Sequence, residues 1–87
     1  MAYYDGAEVM KMRLDRVRAL REDRDWTQQQ VAELLHVNRR TYSAYETGVN
    51  ALPLEALAAL AAIYHTSTDY LLGLTDVSAP YPRKKGP

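Results

Sequence analysis

The fold of the chain is decided between Thr27 and Gly48, a stretch that reads TQQQVAELLHVNRRTYSAYETG. Thr27 and Gln30 form a capping-box pattern, in which each side chain satisfies a free backbone donor in the first turn of a helix. Asn38 is a favoured N-cap for a second helix, and glycine commonly follows a helix end, as Gly48 does here. We therefore predict two helices joined by a tight turn, the second spanning about Arg39 to Thr47.

The remainder of the chain also has a helical pattern. Apolar residues spaced three and four apart predict a helix from about Val9 to Arg24; they are Met10, Leu14, Val17 and Leu20. A fourth helix is expected to start near Pro53, and Ser67 is the N-cap type expected to open a short fifth helix that ends at Gly73. Because no alternating strand pattern occurs, we predict an all-α, compact five-helix domain.

The 87 residues are enough for one small domain. We predict that residues 9–74 form it and that residues 1–8 are a loose N-terminal segment. Residues 75–87 contain three prolines, a glycine and the basic cluster Arg83–Lys85. This composition predicts a disordered basic tail.

Composition excludes several classes of function. The chain has no cysteine, which rules out disulfides and thiolate metal sites. The two histidines lie on different segments, so no metal site is expected. With no nucleophile beside a base and no phosphate-binding glycine loop, we expect neither an enzyme nor a cofactor. Neither a signal peptide nor an apolar membrane span is visible, and we expect a cytoplasmic protein.

The net charge of zero conceals an uneven distribution. Residues 11–45 carry a balance of +3, whereas residues 46–82 carry −4 and contain no lysine or arginine. Such asymmetry is typical of a protein with one face for a polyanion and another that avoids it. Solvated surface charge without a partner is the other interpretation of the same pattern.

The start of the second helix carries the residues best suited to reading DNA. A helix that projects from a helix-turn-helix fits the major groove, with its N-terminal residues nearest the bases. Arginine pairs with guanine, asparagine pairs with adenine, and threonine can contact a thymine methyl group. These types stand together at the helix start, at Asn38, Arg39, Arg40 and Thr41. Two exposed arginines without a partner are the alternative.

The ordered combination of motifs resembles the Cro and phage-repressor helix-turn-helix family, also called the Xre family. Thr-Gln-x-x-x-Ala begins at Thr27, x-Leu-x-Val follows, and Tyr-x-x-Tyr-Glu-x-Gly ends at Gly48. The likeness covers about residues 9–74 and closes with Asp69-Tyr70-Leu71-Leu72-Gly73. It implies a lambda-repressor-like fold, with the helix-turn-helix at helices 2 and 3, and a sequence-specific regulator of transcription, with repression as the expected outcome.

The resemblance also implies roles for individual residues. The base-reading set comprises Asn38, Arg39, Arg40, Thr41 and Ala44. Gln28 and Ser43 are implied to contact phosphates, and Arg21 and Glu46 to form an ion pair between the first helix and the end of the recognition helix. His36 departs from the family because glycine is usual at that turn position, although histidine tolerates a positive φ comparatively well. Ala44 departs by replacing a polar reader.

A single recognition helix reads too few base pairs to single out one genomic site, so we expect a homodimer on a palindromic double-stranded operator. Leu52, Leu54 and Leu74 are the interface candidates, because the last helices offer more apolar groups than one small core readily buries. The alternative function is a protein-interaction module with the same fold, such as an antitoxin or a regulator whose main partner is another protein.

Overall fold

The computed structural model describes residues 14–81. The predictions for residues 1–8 and for the basic cluster Arg83–Lys85 lie outside this range. Five helices are present in it: α1 (Asp15–Asp23), α2 (Gln28–Leu34), α3 (Arg39–Thr47), α4 (Leu54–Ile63) and α5 (Thr68–Leu71). The described residues contain no strand, which confirms the all-α prediction. No helix in this part of the chain is long and apolar enough to cross a membrane.

Three polar side chains start helices as the sequence predicts. The Thr27 hydroxyl accepts from the backbone N–H of Gln30 at 3.1 Å, and the Gln30 side chain accepts from the backbone N–H of Thr27 at 2.7 Å. The Ser67 hydroxyl accepts from the backbone N–H of Tyr70 at 3.0 Å. Asn38 caps α3. These bonds satisfy donors that the first helical turn leaves free, so they define where α2, α3 and α5 begin.

Four helices end in one geometry, the Schellman motif. The residue after the C-cap is left-handed, and two backbone hydrogen bonds run back into the last turn. After α2, the N–H groups of His36 and Val37 donate to the carbonyls of Glu33 and Ala32 at 3.1 and 3.0 Å. These four helices are α1, α2, α4 and α5. The left-handed residue is Gly73 after α5, whereas after α1, α2 and α4 it is Asp25, His36 and His65, with φ of 55°, 59° and 52°.

The five helices enclose a single core. Its buried apolar side chains come from every helix and from two flanking positions; they are Leu14, Val17, Val31, Ala32, Tyr42, Leu57, Leu60, Ala61, Tyr64 and Leu71. α2 packs on α3, α4 packs on α5, and α1 contacts both α3 and α5. α1 is therefore the element that joins the helix-turn-helix to the rest of the domain.

The predicted continuous helix from Val9 to Arg24 is wrong at Leu14. The backbone of Leu14 has φ −97° and ψ 67°, which is not helical, and α1 begins at Asp15. The Leu14 side chain is buried in the core, where the helical pattern had placed it. Asp15 in the first turn puts a negative charge at the positive end of the helix dipole, which favours a start there. Residues before Leu14 lie outside the described range.

Residues Thr75–Tyr81, called the C-terminal strap below, lie against the domain. Arg16 donates to the carbonyls of Tyr70, at 2.8 Å, and of Thr75, and its guanidinium pairs with the Asp76 carboxylate at 2.6 Å. At the other end, the Tyr81 hydroxyl donates to Asp69 at 2.6 Å. Between them, Thr66 donates to the Ser78 carbonyl at 2.6 Å. These bonds differ from the disorder that composition predicts for this part of the tail.

Candidate nucleic-acid interface

The helix-turn-helix is formed by α2, the turn from Leu35 to Asn38, and α3. The left-handed His36 reverses the chain, and the half-buried Val37 packs against the core. α3 is then fastened by Tyr42, whose ring is fully buried. Because side chains two residues along a helix lie about half a turn apart, the face of α3 centred on Arg40 and Ala44 is turned away from the core.

Arg39 and Arg40 occupy the first two positions of α3, and both are exposed. Neither guanidinium has a hydrogen bond or an ion pair with any residue in the described range. Two cations at a helix N-terminus oppose the helix dipole, which favours negative charge at that end. The arrangement leaves two positive, fork-shaped donors available to an anionic partner.

The side chain of Asn38 is engaged in capping. Its Oδ1 accepts from the backbone N–H of Thr41 at 2.7 Å, so the amide oxygen is directed at the first turn of α3. Asn38 itself is exposed, and Thr41 is half-buried. The sequence predicts Asn38 both as an N-cap and as an adenine reader; the structure confirms the cap, and the two tasks compete for the same amide oxygen.

Glu46 is the centre of a buried polar network beneath α3. Its carboxylate accepts four hydrogen bonds: from Arg21 Nε at 2.6 Å, from Arg21 Nη2 at 3.2 Å, from the Tyr42 hydroxyl at 2.5 Å and from Gln28 Nε2 at 3.2 Å. The Glu46 side chain is only 2% exposed and that of Arg21 only 12%. The network thus joins α1, α2 and α3 at one carboxylate.

The ionisation of this network follows from its contacts. Burial alone would raise the pKa of Glu46, but the hydrogen bonds from Arg21, Tyr42 and Gln28 outweigh it and hold the pKa below its ordinary value. The hydrogen bond to Glu46 raises the pKa of Arg21. Burial and the Glu46 carboxylate raise the pKa of Tyr42. The pair is therefore ionised, and Tyr42 remains a neutral donor at neutral pH.

From the sequence, no role was assigned to the hydroxyl of Tyr42. Its spacing of four residues from Glu46 was the available signal, since residues i and i+4 are neighbours on a helix. Burial raises the pKa of the neighbouring Tyr64 to about 12. Unlike Tyr42, Tyr64 has a buried hydroxyl without a hydrogen-bond partner among the described residues.

The remaining candidates for DNA contact lie near this network. Gln28 is half-buried, and its amide nitrogen is held by Glu46. Ser43 and Ala44 are half-buried on α3, and their carbonyls accept from Thr47 Oγ1 and from the backbone N–H of Asn50, at 3.0 and 3.1 Å. Ser43 and Ala44 follow Arg40 along α3, and Gln28 contacts the other end of α3 through its hydrogen bond to Glu46.

The three predicted interface leucines have different surroundings. Leu54 is 79% exposed and Leu74 is 56% exposed. Leu52 is only partly accessible and packs against the core. Val49, which the sequence interpretation did not include, is 78% exposed in the loop that leads to α4.

Comparison with known proteins shows the family to which the chain belongs. Residues 17–71 match the model of the helix-turn-helix family, and the chain belongs to that family, as its resemblance to Cro and the phage repressors implied. No solved structure matches the chain at a significant level.

Three curated relatives come from Bacillus subtilis. The chain is 45% identical over 62 residues to the HTH-type transcriptional regulator AnsR, covering 71% of this chain and 53% of AnsR. It is 38% identical over 74 residues to the uncharacterized HTH-type transcriptional regulator YobD, covering 85% of this chain and 66% of YobD. For the HTH-type transcriptional regulator ImmR the identity is 35% over 63 residues, covering 72% of this chain and 50% of ImmR. The matches thus span half to two thirds of each relative.

Proposed function

We propose that this chain is a sequence-specific, double-stranded DNA-binding regulator of transcription that inserts α3 into the major groove and acts in the cytoplasm. The observation that carries the proposal is the exposure of Arg39 and Arg40, without acidic partners in the described range, at the start of a helix anchored from behind by Glu46. The first residues of a recognition helix are those nearest the base edges. The names of the three relatives, all regulators of transcription, support the same function.

The contacts divide into two kinds. Arg39, Arg40, Thr41 and Ala44 would face the bases, while Gln28 and Ser43 would contact phosphates on either side. Gln28 suits this role because an amide nitrogen has two hydrogens. One is donated to Glu46, and the second is left for a phosphate oxygen. Occupying a site that overlaps a promoter requires no other partner, so repression is the regulatory outcome we propose.

The first experiment selects bound sequences from a random duplex pool and then measures affinity for the enriched site. The wild-type chain should enrich one motif, and its affinity should fall steeply with salt because bound phosphates release counterions. The double variant R39A/R40A should lose the enriched site, at about 1–3 kcal/mol for each base contact. R18A removes one positive charge from an exposed position of α1 and is the charge-matched control for each of the single variants R39A and R40A. Wild-type affinity in the double variant would refute the assignment of α3.

We also propose a homodimer on a palindromic operator, with half-sites roughly 34–36 Å apart on one side of the duplex. The exposed Leu54 and Leu74 are the contacts we would place at its two-fold axis. L54D and L74D should reduce binding to the full site much more than to an isolated half-site, and A19D, an exposed substitution on α1, should affect neither. Saturation of the full site by one copy would exclude the dimer.

A protein partner is the second candidate function, and the exposed side chains of Val49 and Leu54 favour it. Both lie in or next to the α3–α4 loop, outside the core. If the chain enriches no duplex motif at any salt concentration, this interpretation replaces the first.

A further inference from the structure

The structure restricts which bases the proposed interface reads. This inference rests on the proposed function, and it concerns the division of labour between Asn38 and Arg40. Both stand at the start of α3, both are exposed, and both side chains are able to pair with a base in two places at once. Their side-chain contacts, however, are different.

The capping bond of Asn38 competes with the presentation of its amide to adenine. Pairing with adenine requires the amide oxygen to accept from N6 and the amide nitrogen to donate to N7, so one edge of the amide must face the base. In the structure the oxygen faces the helix instead, 2.7 Å from the backbone N–H of Thr41. Turning it outward would break the cap and leave a first-turn donor without its partner.

Arg40 has no such competing bond. Its guanidinium is without a partner in the described part of the chain, and the residue lies on the face of α3 turned away from Tyr42. Ala44 is one turn further along the same face, and its methyl group is too small to shield the arginine from a base. A fork of N–H donors at this position matches the O6 and N7 acceptors of guanine.

We infer that each operator half-site contains a guanine read by Arg40, with an apolar contact to a neighbouring thymine methyl at Ala44, and that Asn38 selects no adenine. Asn38 contributes by fixing the start of α3, and hence the position of Arg40. The specificity of the half-site is therefore directed at guanine, although the residue types at the helix start suggest a mixed guanine and adenine code.

N38S separates capping from base reading. Serine caps helices about as well as asparagine, but it lacks the amide. We expect N38S to enrich the wild-type motif from a random duplex pool, with an affinity within about twofold of wild type. Loss of an adenine preference at one position in N38S would overturn the inference. N38A removes the cap as well, so it should lower the stability of the fold and serves as the reference for a lost cap.

Base replacement tests the guanine contact directly. Substituting 7-deazaguanine removes the N7 acceptor and leaves Watson–Crick pairing intact. At the guanine contacted by Arg40, this should weaken wild-type binding, and R40A should weaken binding by roughly 5- to 150-fold, the range for one bidentate pair. The two changes combined should be no worse than R40A alone.

The arms distinguish the two levels of the proposal. Suppose that the wild type enriches a motif, but that neither 7-deaza substitution of its guanines nor the R40A variant changes the binding affinity. The inference then fails while the proposed function stands. If the wild type enriches no motif, the proposed function fails and the inference fails with it.

Discussion

Arg21 and Glu46 join the last turn of α1 to the last turn of α3 through two hydrogen bonds of 2.6 and 3.2 Å. The pair is nearly inaccessible to solvent, and it links α3 through side chains to α1, the helix that contacts the rest of the domain. Removing one partner leaves the other charge buried without compensation, which is far more destabilising than removing both.

The first prediction follows from that asymmetry. E46Q and R21M should each lower the free energy of unfolding by about 3 kcal/mol, the lower end of the range for a buried pair, because Arg21 retains slight solvent contact. The double variant R21M/E46Q should lose less than the sum of the two single losses. Urea unfolding of the four proteins gives the coupling energy, and additive losses would contradict a direct interaction.

The second prediction concerns acid. Because the folded protein holds the pKa of Glu46 below its ordinary value, the carboxylate contributes stability above the unfolded pKa near 4.5, and this contribution is lost as pH falls through the folded pKa. The stability difference between wild type and E46Q should therefore be largest near neutral pH and shrink below about pH 4.5. A difference that stays constant down to acid unfolding would show that ionisation of Glu46 is not the cause.

The third prediction contrasts two buried phenols. Y42F removes a donor to a carboxylate and should destabilise the protein by about 1.5–3 kcal/mol. Y64F removes a buried hydroxyl that has no partner in the described range, and it should stabilise the protein by about 1 kcal/mol. Each variant is the size-matched control of the other, and the two effects should have opposite signs in urea unfolding. Equal losses in both would mean that the Tyr64 hydroxyl is satisfied.

The fourth prediction concerns the left-handed turn at His36. Glycine removes strain of roughly 1–2 kcal/mol for a side chain in this conformation. It also gives the unfolded chain more conformational freedom, which lowers the free energy of unfolding by about 0.4–1 kcal/mol. H36G should therefore stabilise the protein by about 0.5–1 kcal/mol, measured as a higher urea midpoint. H36A keeps the strain and controls for loss of the imidazole, so an H36A protein as stable as H36G would contradict the explanation.

The fifth prediction tests the C-terminal strap. R16A should lower the free energy of unfolding by about 1–2 kcal/mol, since it removes charged hydrogen bonds to two carbonyls, whereas the Asp76 pair is exposed and adds little. R18A, whose side chain is 60% exposed, should be nearly neutral. After deletion of residues 75–87, R16A should have a smaller effect. If R16A resembles R18A in the full chain, the strap is not held by Arg16.

Local chemistry determined which parts of this structure the sequence could predict. Thr27, Asn38 and Ser67 cap helices with their own side chains, so the starts of α2, α3 and α5 are encoded within a few residues. The strap was not predictable because it depends on Arg16, about 60 residues earlier in the chain. Proline and charge content carry no information about such a distant partner.

The candidate interface shows the same division. Arg39 and Arg40 were predicted to read bases from residue type and position alone; the structure shows that both are exposed, and their role stays a prediction. The Arg21–Glu46 pair was implied by family resemblance, and it is present. That Glu46 also accepts from Tyr42 and Gln28 depends on how three helices meet, which no local pattern specifies. The cap at Asn38 was predicted from the sequence, but its conflict with reading adenine becomes clear only when the direction of the amide oxygen is known.

The packing of Trp26 gives the protein an optical reporter. It is the only tryptophan, its ring centroid is 5.7 Å from that of Tyr64, and its carbonyl accepts from Arg21 Nη1 at 2.8 Å. Energy absorbed by Tyr64 will therefore be transferred to the Trp26 indole, which lies at the junction of α1, α2 and α4. The fluorescence emission of Trp26 will shift when the helix-turn-helix separates from α4. Since Trp26 lies outside α3, the same emission follows unfolding of the free protein and of its complexes without any attached dye.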